Sequence, residues 1–97
     1  MTAQHVIDKL RSHKAELQQM GIVSLALFGS TARNEAQAQS DVDLLVEFDR
    51  PVGLFHFFTV QHRLEAILGV SKVDLVQRGA VHPALRPRIL AEAVHVA

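Results

Sequence analysis

Two aspartates and a glycine-serine pair have a spacing that could support phosphate chemistry. Asp41 and Asp43 open a predicted strand, and Gly29 and Ser30 precede them by ten intervening residues. Residues two apart on a strand point to the same face, so the two carboxylates would project together. Like charges at that distance repel each other and are costly to dehydrate unless a cation lies between them. Carboxylates in this pattern suit Mg²⁺, which commonly binds through one or two carboxylates plus substrate phosphates.

A third acid, Asp74, interrupts a later apolar run and needs a partner there. We expect it to bind a second metal ion or to act as a general base. Gly29 allows the backbone to approach a ligand, Ser30 can donate its hydroxyl, and the start of a helix favours a phosphate. These parts predict phosphoryl or nucleotidyl transfer. One metal ion would orient a triphosphate and the other would polarise the attacking hydroxyl.

The elements that must position these residues follow the order αβαβαβα. Thr2 is a candidate cap for the first helix, and Gly21 and Gly69 are candidate helix ends. The predicted helices cover residues 2–20, 30–34, 54–68 and 88–96, with an exposed loop after the second, and the predicted strands cover residues 23–28, 41–48 and 73–76.

The proposed chemistry fixes much of the topology. Gly29 and Ser30 can act with Asp41 and Asp43 only if the end of the first strand lies beside the start of the second, which makes that pair antiparallel. The third strand follows a helical crossover, so it is expected to run parallel to the second by a right-handed connection. Parallel pairing places Asp74 level with the aspartate pair. The predicted class is therefore α+β, with a small mixed sheet packed against helices.

The composition indicates one domain over residues 1–97, with 48% hydrophobic residues to form a modest core. Ten Lys and Arg balance ten Asp and Glu, so no broad electrostatic case for nucleic acid or an acidic membrane surface arises. The chain has no cysteine, and its six histidines lack metal-ligand spacing. The N-terminus is unlike a signal peptide, and no apolar run reaches the roughly 20 residues of a membrane span. We expect a cytoplasmic protein.

The helix predicted over residues 54–68 carries three of the five phenylalanines. His56 and His62 are expected on its exposed side or edge. Phe55 lies on a different side from Phe57 and Phe58, so one side could serve a partner or a second copy of the chain. The apolar residues expected on one broad, buried face are Leu54, Phe57, Phe58, Leu64, Ile67 and Leu68.

The motif residues resemble the DNA polymerase β-like nucleotidyltransferase superfamily. The matching segments are Phe28-Gly29-Ser30, Asp41-Val42-Asp43-Leu44 and Val73-Asp74-Leu75. More narrowly, FGSTARNEAQAQSDVDLLVEF is similar to the minimal nucleotidyltransferase (MNT) proteins of prokaryotes, and the similarity extends over nearly the whole chain.

This resemblance implies roles for individual residues. Asp41 and Asp43 would bind Mg²⁺, and Asp74 would complete an acidic triad that carries catalysis and metal binding. The nucleotide-binding residues would be Gly29 and Ser30, which hold the triphosphate of ATP, and Arg33, which approaches phosphate or braces the loop. Asn34 replaces the glycine usual in the family's A-R-G-E segment, a position where asparagine tolerates left-handed backbone.

The resemblance also implies a biological role. MNT proteins act as antitoxins of helical HEPN-domain toxins, which are ribonucleases, and members similar to this chain transfer AMP from ATP to a toxin tyrosine. The domain is short, which suggests an open cleft completed by the partner or by a homodimer mate. Two alternatives stay open: an antitoxin that acts by binding alone, and a nucleotidyltransferase for small molecules, which the missing acceptor pocket disfavours.

Overall fold

The computed structural model describes residues 2–29, 42–80, 83–84, 87 and 94–96. Its α+β class and its mixed sheet agree with the prediction. The helices are α1 (Ala3–Ser12), α2 (Lys14–Gln19) and α3 (Leu54–Leu68), the strands are β1 (Ile22–Phe28), β2 (Val42–Phe48), β3 (Val73–Gln77) and β4 (Val94–His95), and a short 3₁₀ turn (Arg78–Ala80) follows β3.

The sheet has the strand order β3-β2-β1-β4. β1 and β2 are antiparallel, and Phe28 at the end of β1 pairs with Asp43 near the start of β2. β2 and β3 are parallel and are connected through α3. The predicted pairing of these three strands is therefore confirmed.

The C-terminal prediction was wrong in part. A helix was expected over residues 88–96, but Val94–His95 forms β4, which is antiparallel to β1. The Val96 N–H donates to the Leu25 carbonyl at 2.7 Å, and Val96 is buried. This pairing supplies hydrogen-bond partners to the β1 edge, and valine suits a strand. Tertiary pairing outweighed the local helical pattern. Residues 88–93 of the predicted helix fall outside the described residues.

The single N-terminal helix that was predicted is broken at His13, between α1 and α2. Thr2 does cap α1, because its hydroxyl accepts a hydrogen bond from the His5 N–H at 3.2 Å. At the other end, the Ser12 hydroxyl donates to the Lys9 carbonyl at 2.7 Å, and the His13 ring nitrogen Nδ1 lies 3.0 Å from the same oxygen. In a continuous helix, the Lys9 carbonyl would accept a hydrogen bond from the backbone N–H four residues later. The Ser12 and His13 side chains occupy this carbonyl instead, which explains the break in the helix.

The main core lies between the three helices and one face of the sheet. α1 and α2 contribute Val6, Leu10 and Leu17, and α3 packs its second half onto the sheet. Gly69 ends α3 with a φ of 68°, as predicted for a left-handed cap. Within the described ranges, no helix is long and apolar enough to cross a membrane. The strand residues in this core include Leu25, Leu27, Val42, Leu44, Val46, Val73 and Leu75.

The first half of α3 departs from the predicted buried face. Leu54 is 67% exposed and Phe58 is 44% exposed, while Phe55 is 90% exposed. The buried stripe starts at Val60 and continues through Leu64, Ile67 and Leu68. At about 100° per residue, Phe58 lies about 200° around the helix from Val60, so it faces away from this stripe. Phe57 is in phase with the stripe and packs against the core.

Two side chains of α3 bind the outer edge of β3. The Gln61 amide donates to the Val73 carbonyl at 2.7 Å, and the Val73 N–H donates to the Glu65 carboxylate at 3.0 Å. β3 is at the edge of the described sheet, and the N–H and C=O groups of Val73 point away from β2. Both groups are hydrogen-bonded to these side chains of α3.

Candidate functional site

Asp43 and Asp74 lie side by side on the sheet face opposite the three helices. They are register partners on β2 and β3, and paired residues of parallel strands, about 4.8 Å apart, point to the same face. Their neighbours Val42, Leu44 and Leu75 point into the helix-covered core. Both aspartates are half-buried. The strand register therefore places Asp74 level with Asp43, as the parallel pairing predicted.

Gly29 approaches this pair from the end of β1. Its φ is 68°, a left-handed conformation that side chains with a Cβ rarely adopt. A Cβ at this position would lie 3.1 Å from the Asp43 Cγ and closer still to a carboxylate oxygen. Glycine is therefore required both by the backbone conformation and by the close approach of Asp43. The turn at Gly29 and the Asp43 carboxylate are therefore in close contact.

The remaining predicted site residues fall outside the described residues. These are Ser30, Arg33 and Asp41, together with Asn34 and the predicted helix over residues 30–34. Their roles stay predictions from the sequence.

Lys72 is a site residue that sequence reasoning missed. Its ammonium Nζ lies 3.5 Å from Asp74 Oδ1, and its backbone carbonyl accepts a hydrogen bond from the Val42 N–H at 3.3 Å. The carbonyl contact ties the segment before β3 to the start of β2. The available signal was the spacing, since a residue two before Asp74 on an extended chain shares its face.

An apolar floor lies next to the acids on the same face. Ala26 and Leu45 are buried in a small cluster, against which Phe28 and Val76 pack. Leu45 is two residues from Asp43, and Val76 is two residues from Asp74. An apolar surrounding lowers the effective dielectric constant, which strengthens attraction between carboxylates and a cation or another positive group.

The described donors fit a magnesium site in their chemistry. Mg²⁺ takes oxygen ligands and commonly binds one or two carboxylates with substrate phosphates, and Asp43 and Asp74 provide two adjacent carboxylates. The part of the chain that the structure describes has no cluster of three or more His, Cys, Asp or Glu residues. Asp41, the third acid of the predicted set, is not among those residues.

A separate apolar surface lies where the start of α3 meets the C-terminal end of β3. The exposed side chains of Leu54, Phe55 and Phe58 form what we call the α3 strip. Beside it is a hollow of about 330 Å³, lined mainly by Val52, Leu54, Phe57, Leu75, Val76 and Ala80. His56, which was expected on the exposed side or edge of the helix, is half-buried, and its Nε2 lies 2.7 Å from the Met20 carbonyl oxygen. His62 is exposed, as expected.

Comparison with known proteins identifies the relatives of this chain. The model of the nucleotidyltransferase domain family matches residues 10–96. Protein adenylyltransferase MntA of Thermococcus cleftensis is 36% identical over 97 residues, which cover 99% of this chain and 97% of that protein.

Solved structures give the same picture. A candidate minimal nucleotidyltransferase superposes with a TM-score of 0.81 at 34% identity, covering 97% of this chain and 95% of the other. A chain from the complex of tri-AMPylated HEPN toxin with MNT antitoxin of Shewanella oneidensis superposes with a TM-score of 0.69. At 17% identity, with coverage of 99% and 72%, this second likeness shows a common fold alone.

Proposed function

The chain belongs to the nucleotidyltransferase domain family and is a nucleotidyltransferase, and we propose that it transfers AMP from ATP to a hydroxyl group of a protein partner. The observation that carries this proposal is the register of the strands. Asp43 and Asp74 are paired on one face, with the backbone of Gly29 against the Asp43 carboxylate. This combines two acids for metal binding with a turn suited to a phosphate.

Metal binding is assigned to the acids. Asp41, Asp43 and Asp74 would hold Mg²⁺, with two ions expected. When bound, the metal neutralises charge on the triphosphate and polarises the acceptor hydroxyl. Gly29 and Ser30 hold the triphosphate through backbone N–H groups and the serine hydroxyl, and Arg33 approaches the phosphates or braces the loop.

The transfer step follows from these assignments. The acceptor oxygen forms a bond to the α-phosphorus of ATP, and the bond from that phosphorus to the oxygen bridging to the β-phosphate breaks. Pyrophosphate leaves, and the hydroxyl proton passes to a base, for which we propose Asp74 when it is not a metal ligand. The acceptor is proposed to be a tyrosine of a cognate HEPN-domain toxin, so the protein would act as an antitoxin. The names of the relatives support this assignment.

The decisive experiment uses mass measurement. The protein is incubated with ATP, Mg²⁺ and the product of the adjacent gene, and both proteins are then weighed by mass spectrometry. We expect the partner to gain the mass of AMP, and we expect no gain with the Asp41→Ala/Asp43→Ala variant. Tight association without any gain would instead establish an antitoxin that acts by binding. Modification of a small hydroxylated acceptor without the partner would establish the third alternative.

The α3 strip is the proposed contact surface for the toxin or, alternatively, for a second copy of the chain. Exposed aromatic side chains with no neighbouring charge are typical of interface centres, and residues 52–60 contain no charged side chain. We expect Phe55→Ser to weaken association at least about tenfold, whereas Gln18→Ser on α2 serves as an exposed control away from the strip. Analytical ultracentrifugation with and without the toxin distinguishes the two occupants, and unchanged association in both cases excludes this surface.

A further inference from the structure

Lys72 contacts one of the two acids that define the site, and neither the motif nor the proposed reaction uses it. Its ammonium is 3.5 Å from the Asp74 carboxylate, while its carbonyl is bonded to the start of β2. The Lys72 side chain is 58% exposed and the Asp74 side chain 43%. The backbone of the lysine is thus anchored beside the acids, and its side chain reaches Asp74 along the solvent-exposed surface.

From this geometry we infer that Lys72 is a positioning residue that acts as a counter-ion to the acids before metal binds and makes the binding of free divalent cations weak. The inference rests on the proposed magnesium site. Asp43 and Asp74 repel each other across β2 and β3, and the ammonium beside Asp74 offsets part of this repulsion. The Lys72 ammonium thus favours the close approach of the two acids before metal binds.

The same ammonium opposes a metal ion. A cation that binds Asp74 must break the contact with Lys72, and it then experiences repulsion from the displaced positive charge. At a separation of roughly 6 Å in water, repulsion between one positive charge and a divalent ion changes a dissociation constant by about tenfold. The exposure of the pair keeps the effect in this range and makes it sensitive to salt.

A triphosphate removes this penalty because it offers the ammonium a new anionic partner. Lysine is a compact charge on a flexible stem, which suits such an exchange from a carboxylate to a phosphate. Lys72 would therefore favour entry of the metal as its nucleotide complex over entry of the free ion. The binding of metal and of nucleotide would be coupled through one side chain.

The test measures metal binding directly, without turnover. Wild type, Lys72→Met, Lys72→Arg and Lys14→Met are titrated with Mn²⁺ alone by calorimetry at low ionic strength, and again with a non-hydrolysable ATP analogue present. Lys14 is exposed on α2, which packs on the other face of the sheet, so its variant controls for loss of one positive charge. Thermal melts confirm that all variants are folded.

We expect Lys72→Met to bind Mn²⁺ about tenfold more tightly than wild type, with the difference shrinking as salt is added. Lys72→Arg and Lys14→Met should match wild type, and with the ATP analogue the advantage of Lys72→Met should disappear. Equal affinity of Lys72→Met and wild type for Mn²⁺ alone would overturn the role of Lys72 and leave the proposed function intact. Absence of Mn²⁺ binding in every protein, with and without the analogue, would overturn the proposed metal site and this inference with it.

Discussion

The two faces of the sheet are built from the same strands but have different roles, since one face forms the core and the other carries the acids. On β2, Val42, Leu44 and Val46 are buried under the helices, whereas Asp43 and Glu47 alternate with them on the other face. Strand alternation alone separates the two sets, because successive side chains point to opposite sides. Substitutions one position apart should therefore affect different properties, stability on the helix side and activity on the acid side.

Asp43→Asn should have the largest effect on activity. The amide cannot supply a carboxylate to the metal, and metal stabilisation of transition-state charge amounts to several kcal/mol, so AMP transfer should fall by about 10³-fold. Stability should be unchanged or higher, because charge repulsion with Asp74 is relieved. Initial rates and urea unfolding measure the two properties.

Glu47→Gln is the matched control for this change. Glu47 lies on the same strand and the same face but is exposed at its other end, so both rate and stability should stay at the wild-type level. A similar rate loss in both variants would show that general surface charge, not the position of Asp43, supports the reaction.

Leu44→Ala should have the largest effect on stability. Leu44 is fully buried between the sheet and the helices, and truncation of such a leucine lowers the free energy of unfolding by about 2–5 kcal/mol. The rate per folded molecule should change little. The comparison variant is Val23→Ala, since Val23 is 53% exposed on β1, and urea unfolding should separate the two by most of this range. Equal stability of the two variants would contradict the assignment of the core.

Gly29→Ala changes a position that should matter to both stability and activity. The left-handed φ of 68° disfavours alanine by about 1–2 kcal/mol, and the added Cβ pushes on the Asp43 carboxylate. Both stability and transfer rate should therefore fall. Gly79→Ala is the control, because a Cβ there meets no atom within 4 Å. If Gly29→Ala retained wild-type transfer, the close approach of the turn to Asp43 would not matter to the reaction.

The smallest expected effect concerns an ion pair on the helix side. Arg63 of α3 donates to both Glu16 carboxylate oxygens, one of them at 3.0 Å, and this hydrogen bonding lowers the pKa of Glu16. A carboxyl whose pKa is depressed on folding adds stability at neutral pH and loses it as the pH falls through the folded-state pKa. Glu16→Gln should thus be slightly less stable than wild type at pH 7, and the difference should vanish in acid. A difference that is constant with pH would rule out the ionic contribution.

Local signals allowed much of this architecture to be predicted. Thr2 as a cap, Gly69 as a helix end and the bounds of α3 depend on residues near in sequence, and they were confirmed. The pairing of Asp43 with Asp74 could be predicted because a helical crossover between consecutive strands favours parallel neighbours.

Other features depend on partners that are distant in sequence. The two residues of β4 are a strand only because β1 lies beside them, and no local pattern could reveal this. The exposure of Leu54 and Phe58 depends on which side of α3 meets the sheet. The contact of Lys72 with Asp74 depends on the reach of a side chain, which the spacing permits but does not require.

The bonding of Val73 to Gln61 and Glu65 has a consequence for behaviour at high concentration. An exposed edge strand can pair with strands of neighbouring molecules and so start aggregation. At Val73 the groups that would bind such a strand are already engaged by α3. The helix that joins β2 to β3 thereby also hinders the formation of a continuous intermolecular sheet at this edge.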